Sequence, residues 1–328
     1  MNLPAANCRV FQGISAASRR VFSHSKYNSS ERTGHKAVFS LFSIKRKTKP
    51  RRMGRIRLPY FGLFCMALFF FAVIFADVIS PYPPNEGDLF NTTLPPAWSE
   101  DGGMEHILGT DMLGRDVLSR IIHGSRMSLI ISVGCILFYG TLGVTLGLLS
   151  GFLGGRTDMI IMRVADLWLS LPGIIVLFML ASVYGPSAKT IIITFGIMGW
   201  PNYARIVRGE CLSLKERDFV RLARVAGCSN LRIMFSHILP NIVNTIIIIS
   251  TIEIGGIIVL TASMSFLGLG TQPPSCDWGL MLAEGRQYIT YAWWLVTFPG
   301  VAIVIAVLGF NLTGDWLREV LDPKQKLR

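Results

Sequence analysis

The chain has 328 residues, of which 51% are hydrophobic and 16% are charged. A soluble domain usually carries about 25% charged residues, so the composition favours a protein that lies largely in lipid. The net charge of +12 could indicate a nucleic-acid partner, but the charge is concentrated in one segment. Residues 1–57 hold 14 Lys and Arg against one acidic residue, and we therefore expect a membrane-flanking segment and no nucleic-acid partner.

Residues 1–57 are predicted to be a basic, disordered cytoplasmic tail, because Ser, Lys and Arg dominate and apolar periodicity is weak. The first apolar run begins near Leu58 and is followed by no small-residue cleavage site, which indicates an uncleaved helix rather than a signal peptide. Met53 would be a natural start just before that run. Residues 1–52 are thus either a dispensable tail or a result of start-site choice, which amino-terminal sequencing would distinguish.

Six apolar segments approach or exceed the roughly 20 residues that a helix needs to cross a bilayer core. They are residues 58–79, 127–149, 159–183, 190–207, 242–267 and 291–312. Pro172 lies inside the third, where neighbouring helices can satisfy the carbonyl that it frees. The fourth is the shortest, and a re-entrant or core helix is the alternative there. Trp293 and Trp294 begin the sixth and suit the headgroup level of a membrane.

The charges of the loops predict the orientation of these spans. Residues 80–126 carry seven acidic residues and three arginines, whereas residues 205–237 carry seven Lys and Arg and three acidic residues. Basic segments stay on the cytoplasmic side, so both termini are expected there. The predicted fold is an all-α polytopic membrane protein with six transmembrane helices. Its predicted parts are the tail 1–57, a first helix with a periplasmic segment 58–126, a five-helix core 127–312 and a cytoplasmic tail 313–328.

No catalytic or metal site is predicted from the sequence. The chain has no GxSxG, HExxH or GxxxxGK[ST] motif, so it is not expected to bind ATP through a P-loop. Its six cysteines form no CxxC pair, and a disulfide framework is not expected. His106, His123 and His237 are far apart in sequence and are interpreted as loop or interface residues rather than metal ligands.

The segment 205–241 contains the most informative pattern. Apolar residues at 219, 220, 222, 223 and 226 recur at helical spacing and predict a short amphipathic helix. Gly227 would end that helix in a left-handed conformation, and Ser229 or Asn230 would cap a second short helix. Pro240 would begin the fifth span, where a missing N–H costs least. The segment is either a solvated linker with a basic face or a docking element for a partner protein.

The spacing Ala223-x3-Gly227-x12-Pro240 resembles the cytoplasmic "EAA" loop of bacterial ABC importer permeases. Three further stretches, at residues 108–116, 265–279 and 310–323, resemble the dipeptide, oligopeptide and nickel branch of that family, and the permease of the second, "C" type in particular. The resemblance covers about residues 58–326. The usual Glu-Ala-Ala reads Arg221, Leu222 and Ala223 here, which puts one acidic contact to an ATPase in doubt.

The resemblance implies a non-catalytic permease subunit of the bacterial inner membrane, which has no cofactor of its own. Its implied partners are a second permease subunit in a heterodimer, two ATPase subunits that bind the ATP, and an external solute-binding protein. The expected substrate is a di- or oligopeptide, and the alternative is nickel or a metallophore. The residues expected to couple the loop to the ATPase are Arg221, Ala223, Gly227, His237, Pro240 and Asn241.

Two acidic residues in the predicted spans are candidates for the translocation path. A charge at the position of Glu253 costs about 2.5–3.5 kcal/mol on insertion scales, so Glu253 should face the bundle interior. It either makes a packing contact to a polar group or the second permease, or forms a polar wall of the path. Asp166 is the other candidate, and it could instead pair with Arg163. Residues 111–116 either contact the solute-binding protein or have a structural role.

Two other classes of protein remain as alternatives. A stand-alone secondary transporter predicts inverted repeats or several intramembrane charges, and neither is visible. An intramembrane enzyme needs a nucleophile and a base at membrane depth, and no such pair is evident. Transport in liposomes without an ATPase would favour the first alternative. Co-purification with an ATPase and a second permease would exclude both.

Overall fold

The computed structural model of the protein describes residues 59–321, and the regular secondary structure in this range is helical. The predicted tail 1–57 lies outside the described residues. The helices, in chain order, are α1 (Tyr60–Ile74), α2 (Ala76–Ile79), α3 (Val117–Leu153), α4 (Gly155–Leu169), α5 (Gly173–Tyr184), α6 (Ala188–Lys215), α7 (Asp218–Val225), α8 (Asn230–Phe266), α9 (Trp278–Gly285) and α10 (Trp294–Leu321).

Three of the described helices, α3, α8 and α10, are long and apolar enough to cross a membrane. The bent pair α4 and α5 adds a fourth if the two helices form one span. Helix α1 is apolar but has only 15 residues, and α6 has 28 residues but is not among the apolar spanning helices. The all-α, polytopic membrane fold is therefore confirmed, while the number of six spans stays a prediction.

The first predicted span, residues 58–79, is interrupted in the structure. Helix α1 ends at Ile74, and Phe75, at φ −97° and ψ 16°, separates it from the short α2. Arg126 of α3 explains where the break lies, because its Nε donates to the Val73 carbonyl at 2.7 Å and its Nη1 to Asp77 at 2.8 Å. A helix end leaves carbonyls without intrahelical partners, and here one arginine satisfies a carbonyl and a carboxylate together.

The prediction of one helix through residues 159–183 is wrong. Helix α4 ends at Leu169 and α5 begins at Gly173, and the two axes are bent by 79°. Pro172 lies at the bend with φ −65° and ψ 114°. It has no N–H to continue the hydrogen-bond ladder, and it moves the preceding Leu171 away from the helical conformation. The chain therefore changes direction at Pro172 instead of continuing as one straight helix.

Helices α3 and α6 pack closely along a row of glycines on α3. A Cβ placed at Gly143 would lie 2.5 Å from the Cβ of Tyr203, and one at Gly147 would lie 2.7 Å from the Ala204 carbonyl oxygen. Small residues four positions apart let two membrane helices approach so closely that the backbone of one contacts the side chains of the other. This contact determines the position of Tyr203 of α6 along the axis of α3.

A second core joins α1, α9 and α10. The rings of Phe69 and Phe310 meet edge to face with their centroids 5.3 Å apart, and the Trp278 ring packs on Phe69 at 6.1 Å. Trp294 belongs to this core, being 4% exposed with its Nε1 donating to the Thr110 carbonyl at 3.2 Å. The indole N–H of Trp294 therefore has its partner inside the protein, while the level of Trp293 and Trp294 in the membrane stays a prediction.

Candidate functional site

The loop that follows α6 is shaped by a turn at Gly227. The amide of Cys228 donates to the Ala223 carbonyl at 3.1 Å, which closes the carboxyl end of α7. Gly227 has a φ of +76°, and the Ser229 hydroxyl accepts the amide of Arg232 at 3.4 Å to begin α8. The predicted left-handed stop and the predicted cap are both confirmed. The predicted second short helix corresponds to Asn230–Arg232, which continues through a π-helical turn into the rest of α8.

Helix α7 is attached to the rest of the protein by one narrow face. Val220 and Ala223 are buried in a cluster that includes Phe152 of α3 and Ile233 of α8. The guanidinium carbon of Arg224 also lies 5.4 Å from the centre of the Phe152 ring. Packing therefore connects α7 directly to α3 and α8.

The other side of the loop exposes large apolar residues. Leu222 and Val225, three residues apart on α7, are 68% and 87% exposed, and Leu231 and Phe235 at the start of α8 are 64% and 50% exposed. We call these four residues the exposed loop face. The predicted short helix is confirmed, and its apolar residues lie both on the buried side and on this exposed side. A solvated linker would not need such a surface, whereas a docking element would.

Arg221 lies beside the exposed loop face and is itself exposed. Its Nη2 donates to Glu216 at 3.2 Å, and the side chains of the pair are 63% and 73% exposed. An ion pair in water contributes little to stability, so Arg221 can exchange Glu216 for an acidic group of another protein at small cost.

His237, Pro240 and Asn241 lie together at a π-helical turn, Ile233–Ile238, inside α8. The amide of Leu239 donates to the Met234 carbonyl five residues earlier, and Pro240 has no amide to donate. The Asn241 side-chain amide donates to the His237 carbonyl at 2.6 Å. Pro240 is the second residue of the α-helical part of α8, Leu239–Phe266, so the prediction that it lies at the start of that span is confirmed. The π-helical turn leads into this start.

Four polar side chains meet halfway along α3, α6 and α8, and we call them the mid-helix cluster. Tyr139 of α3 donates from its hydroxyl to the Glu253 carboxylate of α8. The hydroxyls of Tyr203 on α6 and Ser250 on α8 are 2.9 Å apart, and the two tyrosine rings are 5.2 Å apart between centroids. Both tyrosines are buried and Glu253 is partly buried, so Glu253 points towards neighbouring helices, as predicted.

Asp166 is not part of this cluster. Its Oδ1 lies 2.6 Å from the Arg205 guanidinium of α6, so the predicted pairing with Arg163 is wrong. Asp158, at the start of α4, makes two bonds to Arg208 of α6, at 2.5 Å to Nε and 2.7 Å to Nη2. Both acidic residues thus join α4 to α6, and no contact in the described range links Asp166 to Glu253.

Comparison with known proteins identifies the family to which the chain belongs. The profile of a family described as "Binding-protein-dependent transport system inner membrane component" matches residues 143–327. A second profile, "N-terminal TM domain of oligopeptide transport permease C", matches residues 51–96. The chain belongs to this family of inner-membrane transport permeases. It is the non-catalytic, multi-pass component of a binding-protein-dependent ABC transporter, which works with an ATPase and a binding protein.

Several curated relatives of the permease are similar over most of their length. The di/tripeptide transport system permease protein DppC of Pseudomonas aeruginosa is 42% identical over 265 residues, which cover 81% of this chain and 88% of the relative. The dipeptide transport system permease protein DppC of Escherichia coli K12 is 43% identical with the same coverage. The DppC protein of Alkalihalophilus pseudofirmus is 39% identical over 278 residues, covering 84% and 89%.

The permease also contains a buried charge network that sequence reasoning did not find. Arg115 Nε lies 2.6 Å from Asp111, and Glu284 of α9 lies 3.1 Å from Arg115 and 3.2 Å from Arg120. Arg120 is 1% exposed, and the four residues line a cavity of about 290 Å³. Glu284 is 164 residues from Arg120 in the chain, so no local spacing could have revealed the pair.

Asp116 has a structural role in the permease. It caps α3 by accepting the Ser119 amide at 2.8 Å, and its other oxygen lies 3.0 Å from Nδ1 of His106. Asp116 is 1% exposed. Asp111 and Asp116 are thus both engaged within the chain, which favours the structural interpretation of residues 111–116 over a contact with the solute-binding protein.

Proposed function

We propose that this permease translocates di- or oligopeptides across the inner membrane as one subunit of an ATP-driven importer. The observation that carries the proposal is the 39–43% identity, over most of the chain, to permeases named for dipeptide and di/tripeptide transport. The match of residues 51–96 to an oligopeptide permease profile supports the same substrate class.

The proposed assembly contains a second, different permease subunit, two ATPases and a solute-binding protein on the outer side. Support for the ATPase contact comes from the exposed loop face, which offers apolar side chains next to the exchangeable Arg221. An apolar patch with a charged neighbour is typical of a protein–protein contact.

The proposed topology has six spans with both termini in the cytoplasm. The spans would be α1 with α2, then α3, the bent pair α4 and α5, α6, α8 and α10. The parts proposed from the sequence keep their boundaries at 1–57, 58–126, 127–312 and 313–328. Helix α10 continues to Leu321, so the beginning of the proposed carboxyl-terminal tail is helical.

In the proposed mechanism the two ATPases close on ATP and displace α7. Ala223 carries the displacement into the packed cluster, and Gly227 keeps α7 at its angle to α8. His237, Pro240 and Asn241 form the junction through which α8 continues into the membrane. The nucleotide thus biases a two-state helix bundle between inward-open and outward-open forms.

Glu253 and Asp166 are the residues proposed for the translocation path. For Glu253 the supporting observation is its carboxylate in the middle of an apolar helix, held by the hydroxyl of Tyr139. Asp166 has weaker support, because it is already paired with Arg205.

The proposal is tested with the purified importer in proteoliposomes that contain its ATPases and its binding protein. We expect ATP-dependent uptake of a radiolabelled dipeptide and no uptake when ATP or the binding protein is omitted. Uptake of nickel without uptake of peptide would contradict the peptide assignment. Uptake by this chain without any ATPase would instead show a secondary transporter.

A further inference from the structure

Glu253 lies at the midpoint of the apolar part of α8. It is fourteen residues from Leu239 and thirteen from Phe266, the ends of that part. With a rise of about 1.5 Å per residue, the carboxylate is roughly 20 Å from either end of the helix. A negative group at this depth needs a partner, because the surrounding hydrocarbon cannot solvate it.

Within residues 59–321, one side chain donates a hydrogen bond to the Glu253 carboxylate. The carboxylate accepts a hydrogen bond from the Tyr139 hydroxyl, and no Lys, Arg or His in the range 59–321 comes within ion-pair distance of it. Two carboxylate oxygens offer about four acceptor positions, so the bond from Tyr139 leaves acceptor capacity for further donors.

The two tyrosines add hydroxyl groups near the Glu253 carboxylate. Their rings meet edge to face at 5.2 Å and are buried, and the hydroxyls of Tyr203 and Ser250 are 2.9 Å apart. A tyrosine hydroxyl that donates one hydrogen bond keeps lone pairs that can accept another. A carboxylate beside such hydroxyls offers several acceptors to an ammonium group.

An open stripe of α8 leads from Glu253 towards the outer end of the helix. Gly256, Leu260 and Ser263 follow it at intervals of three and four residues, and all three are exposed. A Cβ at Gly256 would meet no atom within 4 Å, so space is available one turn beyond the carboxylate. A small molecule moving along this stripe would reach Glu253 without crossing a packed side chain of the described chain.

We propose that Glu253, with Tyr139 and Tyr203, binds the ammonium group of the peptide substrate halfway across the membrane. The inference rests on the proposed peptide transport. An ammonium has three donors and no acceptor, which matches a carboxylate with free acceptor positions. The site would hold the amino terminus transiently, because the surrounding bundle must release it when the transporter changes state.

The test compares uptake of a dipeptide that has a free amino terminus with uptake of its N-acetylated form. Both are presented to the reconstituted importer on saturating binding protein. We expect Glu253→Gln to reduce uptake of the free-amino peptide about tenfold, since one charge-assisted contact is lost. Uptake of the acetylated peptide should stay at its wild-type level, whether high or low.

Two further variants separate an ammonium contact from a structural role. Glu253→Asp keeps the charge and should retain much of the uptake of the free-amino peptide. Glu319→Gln makes the same change at an exposed position of α10 and should leave both peptides unaffected. Subunit assembly should be unchanged in all three variants, and Glu319→Gln should also leave basal ATPase activity unchanged.

The outcomes distinguish this inference from the proposed function. If the wild-type importer takes up no peptide, the proposed function fails, and the inference fails with it. If wild-type uptake is normal and Glu253→Gln equals wild type, only the inference is overturned. It is also overturned if both peptides are reduced equally or if assembly is lost, because Glu253 would then pair with a cation of the second permease.

Discussion

Gly227 is the residue at which backbone conformation and proposed coupling meet. Its φ of +76° crowds the Cβ of any L-residue against the backbone, at a cost of about 1–2 kcal/mol. Gly209 on α6 is a natural comparison, because a Cβ at either position would meet no atom within 4 Å. Of these two glycines, only Gly227 has a backbone conformation that disfavours a side chain. A comparison of the two positions therefore tests the effect of backbone conformation alone, since both have room for a Cβ.

We therefore expect Gly227→Ala to lower peptide-stimulated ATPase activity and uptake together, because α7 loses its preferred angle to α8. Gly209→Ala should leave both activities unchanged and stabilise α6 slightly, since alanine favours a helix by about 1 kcal/mol over glycine. Both are measured in the reconstituted importer. Equal activities for the two variants would remove Gly227 from the coupling mechanism.

At this scale the sequence predicts what local chemistry determines. The turn at Gly227 and the cap at Ser229 follow from residue type and spacing alone. The partner of Asp166 did not follow, because Arg163 is three residues away and the observed Arg205 is 39 away. Sequence reasoning favours ion-pair partners that are close along the chain, whereas the folded chain pairs residues that are close in space.

Among the elements, α7 was predicted as a short amphipathic helix, but the spacing did not show which of its apolar residues are buried. Val220 and Ala223 are buried, while Leu222 and Val225 are exposed. The 3.6-residue period cannot tell a face that packs within the chain from one reserved for another protein. Pro172 indicates where a kink can occur but not how large its angle is. Neighbouring helices determine whether a proline bends a span or breaks it.

The exposed side of α7 can be tested directly. Leu222→Glu should abolish or strongly reduce co-purification of the ATPase subunits, because a buried, unpaired carboxylate at a contact costs several kcal/mol. The yield of folded permease should not change, since Leu222 is 68% exposed. Phe90→Glu makes a comparable change on an exposed residue of the 80–116 segment and should leave ATPase binding intact. Normal binding by Leu222→Glu would exclude the exposed loop face as the docking surface.

Helices α4 and α6 are joined by two ion pairs of different exposure. The side chains of Asp158 and Arg208 are 22% and 33% exposed, whereas those of Asp166 and Arg205 are 57% and 46% exposed. Asp158→Asn should lower the stability of the permease by about 1 kcal/mol, and Asp166→Asn by less, because water screens the outer pair. Thermal unfolding in detergent measures both. An equal or reversed order would show that burial does not govern these two contacts.

For the whole molecule, the fold class follows from composition and apolar length, but the count of spans is harder to derive. A helix such as α6 carries polar and basic residues at one end and is recognisable as a span only through its neighbours. Basic loops predict the orientation, which no contact within a single chain can test.

Single cysteines placed before α3 and on α7, three proposed spans apart, can test this orientation. Phe90 is 96% exposed in the segment before α3, and Val225 is 87% exposed on α7. We expect Phe90→Cys to react with a membrane-impermeant maleimide in intact cells, and Val225→Cys to react only after permeabilisation. The parent chain provides the background, because four of the five cysteines in the described range are buried. The opposite pattern would invert the topology.

The contact between Arg126 and the end of α1 also bears on how the protein is made. Asp77 leaves the ribosome 49 residues before Arg126, so the first helix reaches the membrane with a carboxylate and a carbonyl that have no partner yet. A charge in a short apolar segment makes the free energy of its insertion into lipid less favourable. We expect the insertion machinery to hold α1 until α3 arrives and to release the two into lipid as a pair.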